Sequence, residues 1–226
     1  MGKTLNKTLL LIMTLLSILL IISGSTIVSA TTYEVYTASE LRNAIENSQP
    51  GDVIIIHGGI YDLGTKYDSF TFPTDLDIDD EGVVLKAAGD GVPLIKNANF
   101  RVKADNVVIT GLSFSSSGFS VSLSIYDCSG VVVENNTFTL ASLILDGARS
   151  FTIRNNAFEN SEGIKIGETY YQDVDDVGSI LASNNSLNGL PILLIGGRNG
   201  EDVLASNIGQ LIVMFSSNIN VRDAHI

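Results

Sequence analysis

The sequence contains no tryptophan, one cysteine, four prolines and two histidines. A single cysteine, Cys128, excludes an internal disulfide, and we interpret it as a small buried hydrophobe. So few histidine, cysteine and methionine side chains do not make a copper site. Basic residues are also scarce: 13 lysines and arginines stand against 25 acidic residues, for a net charge of −12. Such a chain is not expected to bind nucleic acid or anionic lipid directly.

The first thirty residues have the pattern of a secretory signal peptide. Lys3 and Lys7 form a basic region, residues 9–22 form an apolar stretch short for a membrane span, and residues 28–30 form a small-residue cleavage site. We predict a signal peptide at 1–30 and a mature domain at 31–226, in a secreted, extracellular or periplasmic location. An uncleaved N-terminal membrane anchor is the alternative. The segment carries two lysines and no acidic residue, so its removal changes the net charge from −12 to −14.

Residues 37–48 are predicted to form a short helix. Thr37 and Glu40 have the spacing of a capping box, in which each side chain accepts a hydrogen bond from the other residue's backbone amide. Three apolar residues then fall on one helical face: Leu41, Ala44 and Ile45. Pro50 and Gly51 are expected to stop the helix before a strand at 53–56.

Residues 74–79 alternate acidic and apolar side chains. This period of two predicts a half-buried strand with an acidic face. The acids at 75–81 also loosely resemble a calcium-binding loop, but glycine is missing from the sixth position and glutamate from the twelfth. We favour the strand.

From residue 107 onward the sequence repeats a short unit: alternating apolar residues, an Asn-Asn pair, and then a second apolar stretch. The clearest copies are 131–138 and 151–158, with weaker copies at 180–187, 203–208 and 221–226. Further strands are predicted between them, at 123–125, 143–145, 164–166, 192–194 and 211–213. Repeats of about 20 to 29 residues with strand-like alternation predict an all-β solenoid, a parallel β-helix of about seven coils.

The first asparagine of each pair is assigned two tasks. Asparagine tolerates the left-handed backbone of a sharp corner, and an inward amide bonded to its equivalent in the next coil forms a ladder. We predict both tasks for Asn135, Asn155 and Asn184, with Asn207 and Asp223 as looser continuations. Gly111 takes the same place in an earlier copy. Asn135 and Asn184 also begin glycosylation sequons, but an inward position disfavours their modification.

Several segments resemble pectate-lyase-like right-handed parallel β-helices, and most of all the alginate lyase and chondroitinase B type of polysaccharide lyase. The later coils also resemble NosD-type β-helix repeats. The matching motifs are Thr37-Ala-Ser-Glu-Leu41, Gln49-Pro-Gly-Asp-Val-Ile54, Gly58-Gly-Ile-Tyr61, Val83-Val-Leu-Lys-Ala-Ala-Gly89 and Ile109-Thr-Gly-Leu-Ser-Phe114.

The resemblance implies a single-stranded right-handed β-helix whose N-terminal helix covers the open end of the stack. For the lyases it implies a calcium-assisted site, in which the metal neutralises a uronate carboxylate, a lysine abstracts the C5 proton and an arginine assists. No lysine–arginine–acid set of that family matches positions in this chain.

The candidate catalytic residues, taken from the repeat itself, are Glu134, Arg154 and Lys165. Glu134 and Arg154 are equivalent residues one repeat apart, predicted to point outward within reach of an ion pair. Lys165 is also outward, in the next strand. Such a set could abstract a proton beside a carboxylate. The alternative is a surface ion pair and a solvated lysine, which contribute little to stability.

The insertion after residue 166 carries a second candidate site. Tyr170 and Tyr171 are predicted to stack on a sugar, and Asp173, Asp175 and Asp176 to bind calcium. The alternative is a solvated loop.

Two classes of function follow. One is a secreted or cell-surface β-helix without catalytic activity, which contacts carbohydrate or serves a structural role. The other is a calcium-assisted polysaccharide lyase that cleaves a uronate-containing polymer by β-elimination. The charge of −14 favours the first, because a polyanion is repelled unless calcium bridges it. The last predicted strand has no cap after it, which predicts either end-to-end self-association or a longer parent β-helix.

Overall fold

The structure is a computed structural model in which residues 29–167, 181–214 and 216–223 are described. Within these ranges the chain forms one helix, α1 (Ala38–Glu46), and otherwise short strands. The Thr37 hydroxyl accepts from the Glu40 amide at 3.2 Å, and the Glu40 carboxylate accepts from the Thr37 amide at 3.0 Å. The buried face of α1 is Leu41, Ala44 and Ile45. The predicted capping box is confirmed, although the helix already ends at Glu46, before Pro50.

Strands from successive coils line up into three sheets. Sheet 1 has seven parallel strands: Thr32–Val35, Val53–Ile56, Val84–Ala87, Val108–Thr110, Val132–Glu134, Thr152–Arg154 and Leu181–Ser183. Sheet 2 has eight: Gly59–Asp62, Pro93–Lys96, Ser113–Ser115, Thr137–Thr139, Ala157–Glu159, Ser186–Leu187, Leu190–Gly196 and Gln210–Met214. Sheet 3 has five parallel strands: Thr74–Ile78, Ala98–Val102, Val121–Tyr126, Ala141–Asp146 and Ile164–Ile166.

Three other pairings are local. Ser186–Leu187 and Leu190–Gly196 pair antiparallel within sheet 2. Thr65–Tyr67 and Phe70–Phe72 form an antiparallel hairpin, and Asp202–Leu204 pairs in parallel with Asn220–Arg222.

Each coil passes through the sheets in turn. The strand Val132–Glu134 of sheet 1 is followed by Thr137–Thr139 of sheet 2 and Ala141–Asp146 of sheet 3, and the chain then returns to sheet 1 at Thr152–Arg154. Neighbouring coils pair in parallel, residue for residue. The predicted all-β, right-handed parallel β-helix with an N-terminal helix is therefore confirmed. No helix in the described ranges is long and apolar enough to cross a membrane.

The interior of the β-helix is filled by stacked side chains from equivalent positions. The Phe114 and Phe138 rings lie 5.1 Å apart, and the Phe138 and Phe158 rings 4.7 Å apart, each pair inclined by 9°. Phe100 meets Phe114 edge-on at 5.4 Å. Each such pair contributes about 0.5–1.5 kcal/mol beyond the burial of its surface. Cys128 also lies in this core, as predicted.

The corners confirm half of the prediction for the asparagine pairs. All six predicted corner residues have positive φ: Gly111 (77°), Asn135 (57°), Asn155 (56°), Asn184 (54°), Asn207 (61°) and Asp223 (54°). This left-handed conformation turns the chain at the end of a strand, and asparagine adopts it with less strain than other side chains.

The predicted bond between equivalent first asparagines exists, since the Asn155 Nδ2 donates to the Asn135 Oδ1 at 3.2 Å, but it lies on the surface. The predicted inward position is wrong by one residue. The inward asparagines are the second of each pair, Asn136, Asn156 and Asn185, exposed by only 1%, 1% and 3%. The Asn156 Oδ1 accepts from the Asn136 amide at 3.0 Å, and the Asn185 Oδ1 accepts from the Asn156 amide at 3.1 Å. The left-handed residue itself faces solvent, and the chain turns inward only at the next position. Asn135 and Asn184 are exposed, so the expected inward position of these sequon asparagines is also wrong.

Candidate functional site

Two of the three predicted catalytic residues meet on the outer face of sheet 1. Glu134 and Arg154 are register partners on adjacent strands, and the Arg154 Nε donates to the Glu134 carboxylate. The Arg154 side chain is 53% exposed and that of Glu134 19%. Lys165 lies on sheet 3 instead, where its Nζ donates to Glu162 at 2.8 Å. The structure therefore separates the lysine from the ion pair, and a catalytic role for the three residues stays a prediction.

The candidate carbohydrate and calcium ligands lie outside the described residues. These are Tyr170 and Tyr171, and Asp173, Asp175 and Asp176. Their assignments remain predictions.

A cluster that sequence reasoning missed lies on the outer face of sheet 3. We name it the Arg101 cluster, formed by Asp75, Asp77, Arg101 and Lys103. Arg101 binds Asp77 through two nitrogens, with Nε to Oδ1 at 2.5 Å and Nη2 to Oδ2 at 3.0 Å, and binds Asp75 Oδ2 through Nη1 at 2.9 Å. The Lys103 Nζ donates to Asp77 Oδ2 at 2.7 Å. Two cations and two carboxylates thus form one exposed network.

Strand register explains why these residues meet. The strands Thr74–Ile78 and Ala98–Val102 are parallel neighbours, with Asp77 opposite Arg101. Leu76 and Ile78 point into the core, so the alternate residues Asp75 and Asp77 point outward. The acidic-faced strand predicted from the alternation is confirmed, but its cationic partners come from the next coil.

The contacts keep both ends of the network charged. The hydrogen bond from Arg101 to Asp77 raises the pKa of the guanidinium above its ordinary value. Partial burial acts to raise the pKa of Asp77, but hydrogen bonds from Arg101 and Lys103 outweigh it and lower that pKa. Arg101 is therefore a fixed cation, held in a bidentate geometry that suits carboxylates.

The same outer face continues over the later coils. In register, Arg101 is followed by Ser124, Ile144 and Lys165 on successive strands. Three steps between strands place Lys165 about 14 Å from Arg101 along the stack. Tyr126 is half-buried and lies opposite Asp146 on the same face. The face thus carries a cation at each end, with the buried Ser124, the apolar Ile144 and the polar pair of Tyr126 and Asp146 between them.

Cys128 is not available for chemistry on this face. Burial raises the pKa of its thiol to about 11, and the Sγ lies 3.8 Å from the Val102 carbonyl oxygen. A thiol of this kind stays protonated and unreactive at neutral pH.

Comparisons with known proteins address the fold. No protein-family model matches the chain, and no curated protein matches it. Among solved structures, a polygalacturonate lyase fused with a self-assembling amphipathic peptide matches with a TM-score of 0.54 and 12% identity, over 86% of this chain and 82% of that one. This likeness concerns the fold.

Two other solved structures match at lower TM-scores and are longer than this chain. The pectate lyase pelN from Paenibacillus sp. 0602 matches with a TM-score of 0.46 and 20% identity, over 59% of this chain and 38% of that one. The PL6 family alginate lyase AlyGC matches with a TM-score of 0.40 and 12% identity, over 84% of this chain and 40% of that one. This chain thus spans less than half of either enzyme. The chain has a pectate-lyase-like, right-handed parallel β-helix fold, as its three sheets, its N-terminal helix and its likeness to the solved polygalacturonate lyase show.

Proposed function

We propose that this protein binds a uronate-containing polysaccharide on the outer face of sheet 3 and cleaves it by β-elimination. The observation that carries the proposal is the Arg101 cluster. In a strongly acidic chain, it presents an arginine and a lysine side by side on an exposed face of the β-helix. The neighbours in fold that are named as polygalacturonate and alginate lyases are consistent with a uronate polymer as the substrate.

The chemistry of β-elimination makes three demands on a site. A cation must stabilise the negative charge that the uronate carboxylate takes up when the C5 proton leaves, a base must take that proton, and the O4 leaving group must receive one. The C5–H and C4–O4 bonds break and a C4–C5 double bond forms, so no oxidant or reductant is needed.

Residues on the outer face of sheet 3 can fill the three roles of cation, base and proton donor. Arg101 supplies the fixed cation, because its bidentate geometry with Asp77 is the one that it would use with a uronate carboxylate. Lys103, as the free amine after it leaves Asp77, takes the C5 proton. Tyr126 follows Ile125, the register partner of Val102, and is therefore beside Lys103. It is the proton donor for O4.

The proposed reaction uses only side chains of the sheet 3 face and no calcium ion. No three histidine, cysteine, aspartate or glutamate side chains in the described ranges converge to hold a metal ion. The Arg101 cluster also has as many cations as carboxylates, which disfavours a cation there. No step is therefore assigned to calcium, and Asp173, Asp175 and Asp176 remain the predicted ligands.

A non-catalytic binding protein is the second candidate, and one observation favours it. Arg101 and Lys103 are both already bound to aspartates, so a uronate would have to displace those contacts. The same face would then hold a polysaccharide without cleaving it. In either case we propose that the protein acts outside the cytoplasm, as the signal-peptide pattern predicts.

The experiment separates the two candidates. The mature chain is incubated with alginate, polygalacturonate and chondroitin, with and without calcium, and the ultraviolet absorbance of the unsaturated product is followed. We expect absorbance to rise on at least one polymer and to be lost in Arg101→Ala. Arg198→Ala serves as the control, because it removes an exposed, ion-paired arginine that lies outside sheet 3. Binding of a polymer without any rise in absorbance would support the non-catalytic candidate. The absence of both would overturn the proposal.

A further inference from the structure

A cleft of about 200 Å³ opens at the corner between sheets 2 and 3, in the three coils that follow the coil of Arg101. Its lining combines apolar Phe119 and Leu140 with the hydroxyls and amide of Ser142, Ser161 and Asn160. Its one acidic group, Glu162, is bound to Lys165. The cleft therefore combines apolar and polar groups and is nearly neutral, unlike the charged cluster.

Leu140 is the first sign that the cleft has a use. It has a φ of +55°, a left-handed conformation that is strained for a branched hydrophobic residue, and its side chain is 51% exposed. Residues at the same corner in other coils are Asn97, Asn160 and Asn188, all with positive φ. The backbone conformation at this corner thus favours asparagine, and Leu140 departs from that preference. Residues that conflict with their local backbone conformation concentrate at functional sites.

Ser142 is an independent sign. Its side chain lies in the cleft lining, the residue is 8% exposed, and its hydroxyl has no hydrogen-bond partner among the described residues. A buried hydroxyl without a partner is unfavourable, and where no protein group satisfies it, a water molecule or a ligand does so. The Ser142 hydroxyl therefore indicates that the cleft receives a group with hydrogen-bonding capacity.

Exposed aromatic rings extend the cleft toward the N-terminal end of the stack. The Phe119 ring stacks on Phe72 of the hairpin, with centroids 5.0 Å apart and an inclination of 24°, and the Phe70 ring lies 6.5 Å from that of Phe72. All three rings are exposed. Flat aromatic faces next to hydroxyl and amide groups suit a ligand that has an apolar face and a polar edge.

We propose that this cleft and its aromatic rings form a binding site for neutral pyranose units of a polysaccharide. A pyranose ring offers C–H groups to an aromatic face and hydroxyl groups to Ser142 and Asn160. The nearly uncharged lining fits a neutral sugar better than a uronate, and the acidic chain as a whole disfavours anionic lipid. The site extends the proposed function, because a mixed polymer would place neutral units here and uronates at the Arg101 cluster.

The test measures binding of three neutral probes, xylohexaose, cellohexaose and mannohexaose, by isothermal titration calorimetry. We expect at least one to bind, and Phe119→Ala and Ser142→Ala each to weaken that binding about five- to tenfold. Leu140→Asn should weaken it while raising the thermal unfolding midpoint, since asparagine suits the left-handed corner. A merely structural residue would not separate stability from binding in this way.

Other results would overturn the site. The first is that no probe binds, and the second is that all three variants bind a probe as tightly as the wild type does. The third is that the wild type self-associates and Phe119→Ala does not, which would mean that the rings contact a second copy of the chain. Arg101→Ala keeps this test distinct from that of the proposed function. It should abolish action on uronate polymers and leave the neutral probes bound as in the wild type.

Discussion

The Gln210 side chain pairs with the backbone of Ile164 as if it were another strand. Its Oε1 accepts from the Ile164 amide at 3.0 Å, and its Nε2 donates to the Ile164 carbonyl at 2.7 Å. Ile164–Ile166 is the last strand in the order of sheet 3, so this amide occupies the place of a neighbouring backbone. Gly163 makes room for it, because a Cβ there would lie 2.4 Å from Gln210 Oε1.

We expect Gln210→Glu to destabilise the protein by about 1–3 kcal/mol, as a buried carbonyl loses its donor. The carboxylate has nearly the same shape but cannot donate to the Ile164 carbonyl. Chemical denaturation measures the loss. Gln210→Ala is the matched control, since it removes both hydrogen bonds without adding a charge. An unchanged midpoint in Gln210→Glu would show that the pairing contributes nothing.

The buried ladder makes a second prediction. Asn156 donates through Nδ2 to the Val133 carbonyl at 2.9 Å and to Asn185 Oδ1 at 3.0 Å, and its Oδ1 accepts from both nitrogens of Asn136. Asn156→Ala leaves several buried groups unsatisfied, so we expect a loss of about 3 kcal/mol or more in the free energy of unfolding.

The neighbouring corner residue is the control for the ladder. Asn155 is exposed with a φ of +56°, so Asn155→Gly should be nearly neutral, because glycine adopts this conformation without strain. Thermal and urea unfolding of both variants give the comparison. Equal losses in the two would contradict the assignment of the ladder to the second asparagine.

The contrast between these two residues shows what the sequence can and cannot reveal. The repeat predicts the parallel β-helix and the six corner residues at the place of the first asparagine, since left-handed corners strongly favour asparagine and glycine. It does not tell which asparagine points inward, because that depends on the backbone path through the corner.

The Arg101 cluster could not be predicted from the sequence, for a related reason. Asp77 and Arg101 pair across coils that precede the Asn-Asn period, so no repeat marks their register. Glu134 and Arg154, by contrast, lie in repeats that align directly, and their contact was predicted from that alignment. The orphaned hydroxyl of Ser142 has no sequence signal at all.

A pH dependence is expected from His57. Its Nδ1 lies 2.7 Å from Asp90 and its Nε2 2.7 Å from Glu34, and its ring stacks on Tyr36 at 4.0 Å. The hydrogen bonds to Asp90 first and to Glu34 second raise the pKa of His57. The resulting stabilisation is complete below the unfolded value of about 6.5 and is lost as the pH rises through the higher folded value.

The measurement is the thermal unfolding midpoint of wild type and His57→Gln across this range. The wild type should lose its advantage over the variant as the solution becomes alkaline. The hydrogen bond from His57 also lowers the pKa of Asp90, so that contribution is lost in acid instead. Parallel curves for the two proteins from neutral to alkaline pH would rule out the contribution of His57.

The last prediction compares two arginines, Arg154 on sheet 1 and Arg101 on sheet 3. Within the part of the chain that the structure describes, the Arg154 side chain makes one ion pair, to Glu134, and is 53% exposed. Arg154→Ala should therefore change the free energy of unfolding by less than about 1 kcal/mol. Arg101 makes three hydrogen bonds to Asp75 and Asp77, and its removal leaves two carboxylates adjacent without their shared cation. Arg101→Ala should therefore be the more destabilising variant, and Asp77→Asn combined with it should restore part of the loss, because the repulsion between the carboxylates is removed.

Urea unfolding at low and high salt measures all three proteins. The difference between the arginine variants should shrink at high salt, where exposed charges are screened. A larger loss in Arg154→Ala than in Arg101→Ala would show that the ion pair on sheet 1, and not the cluster on sheet 3, holds adjacent coils together.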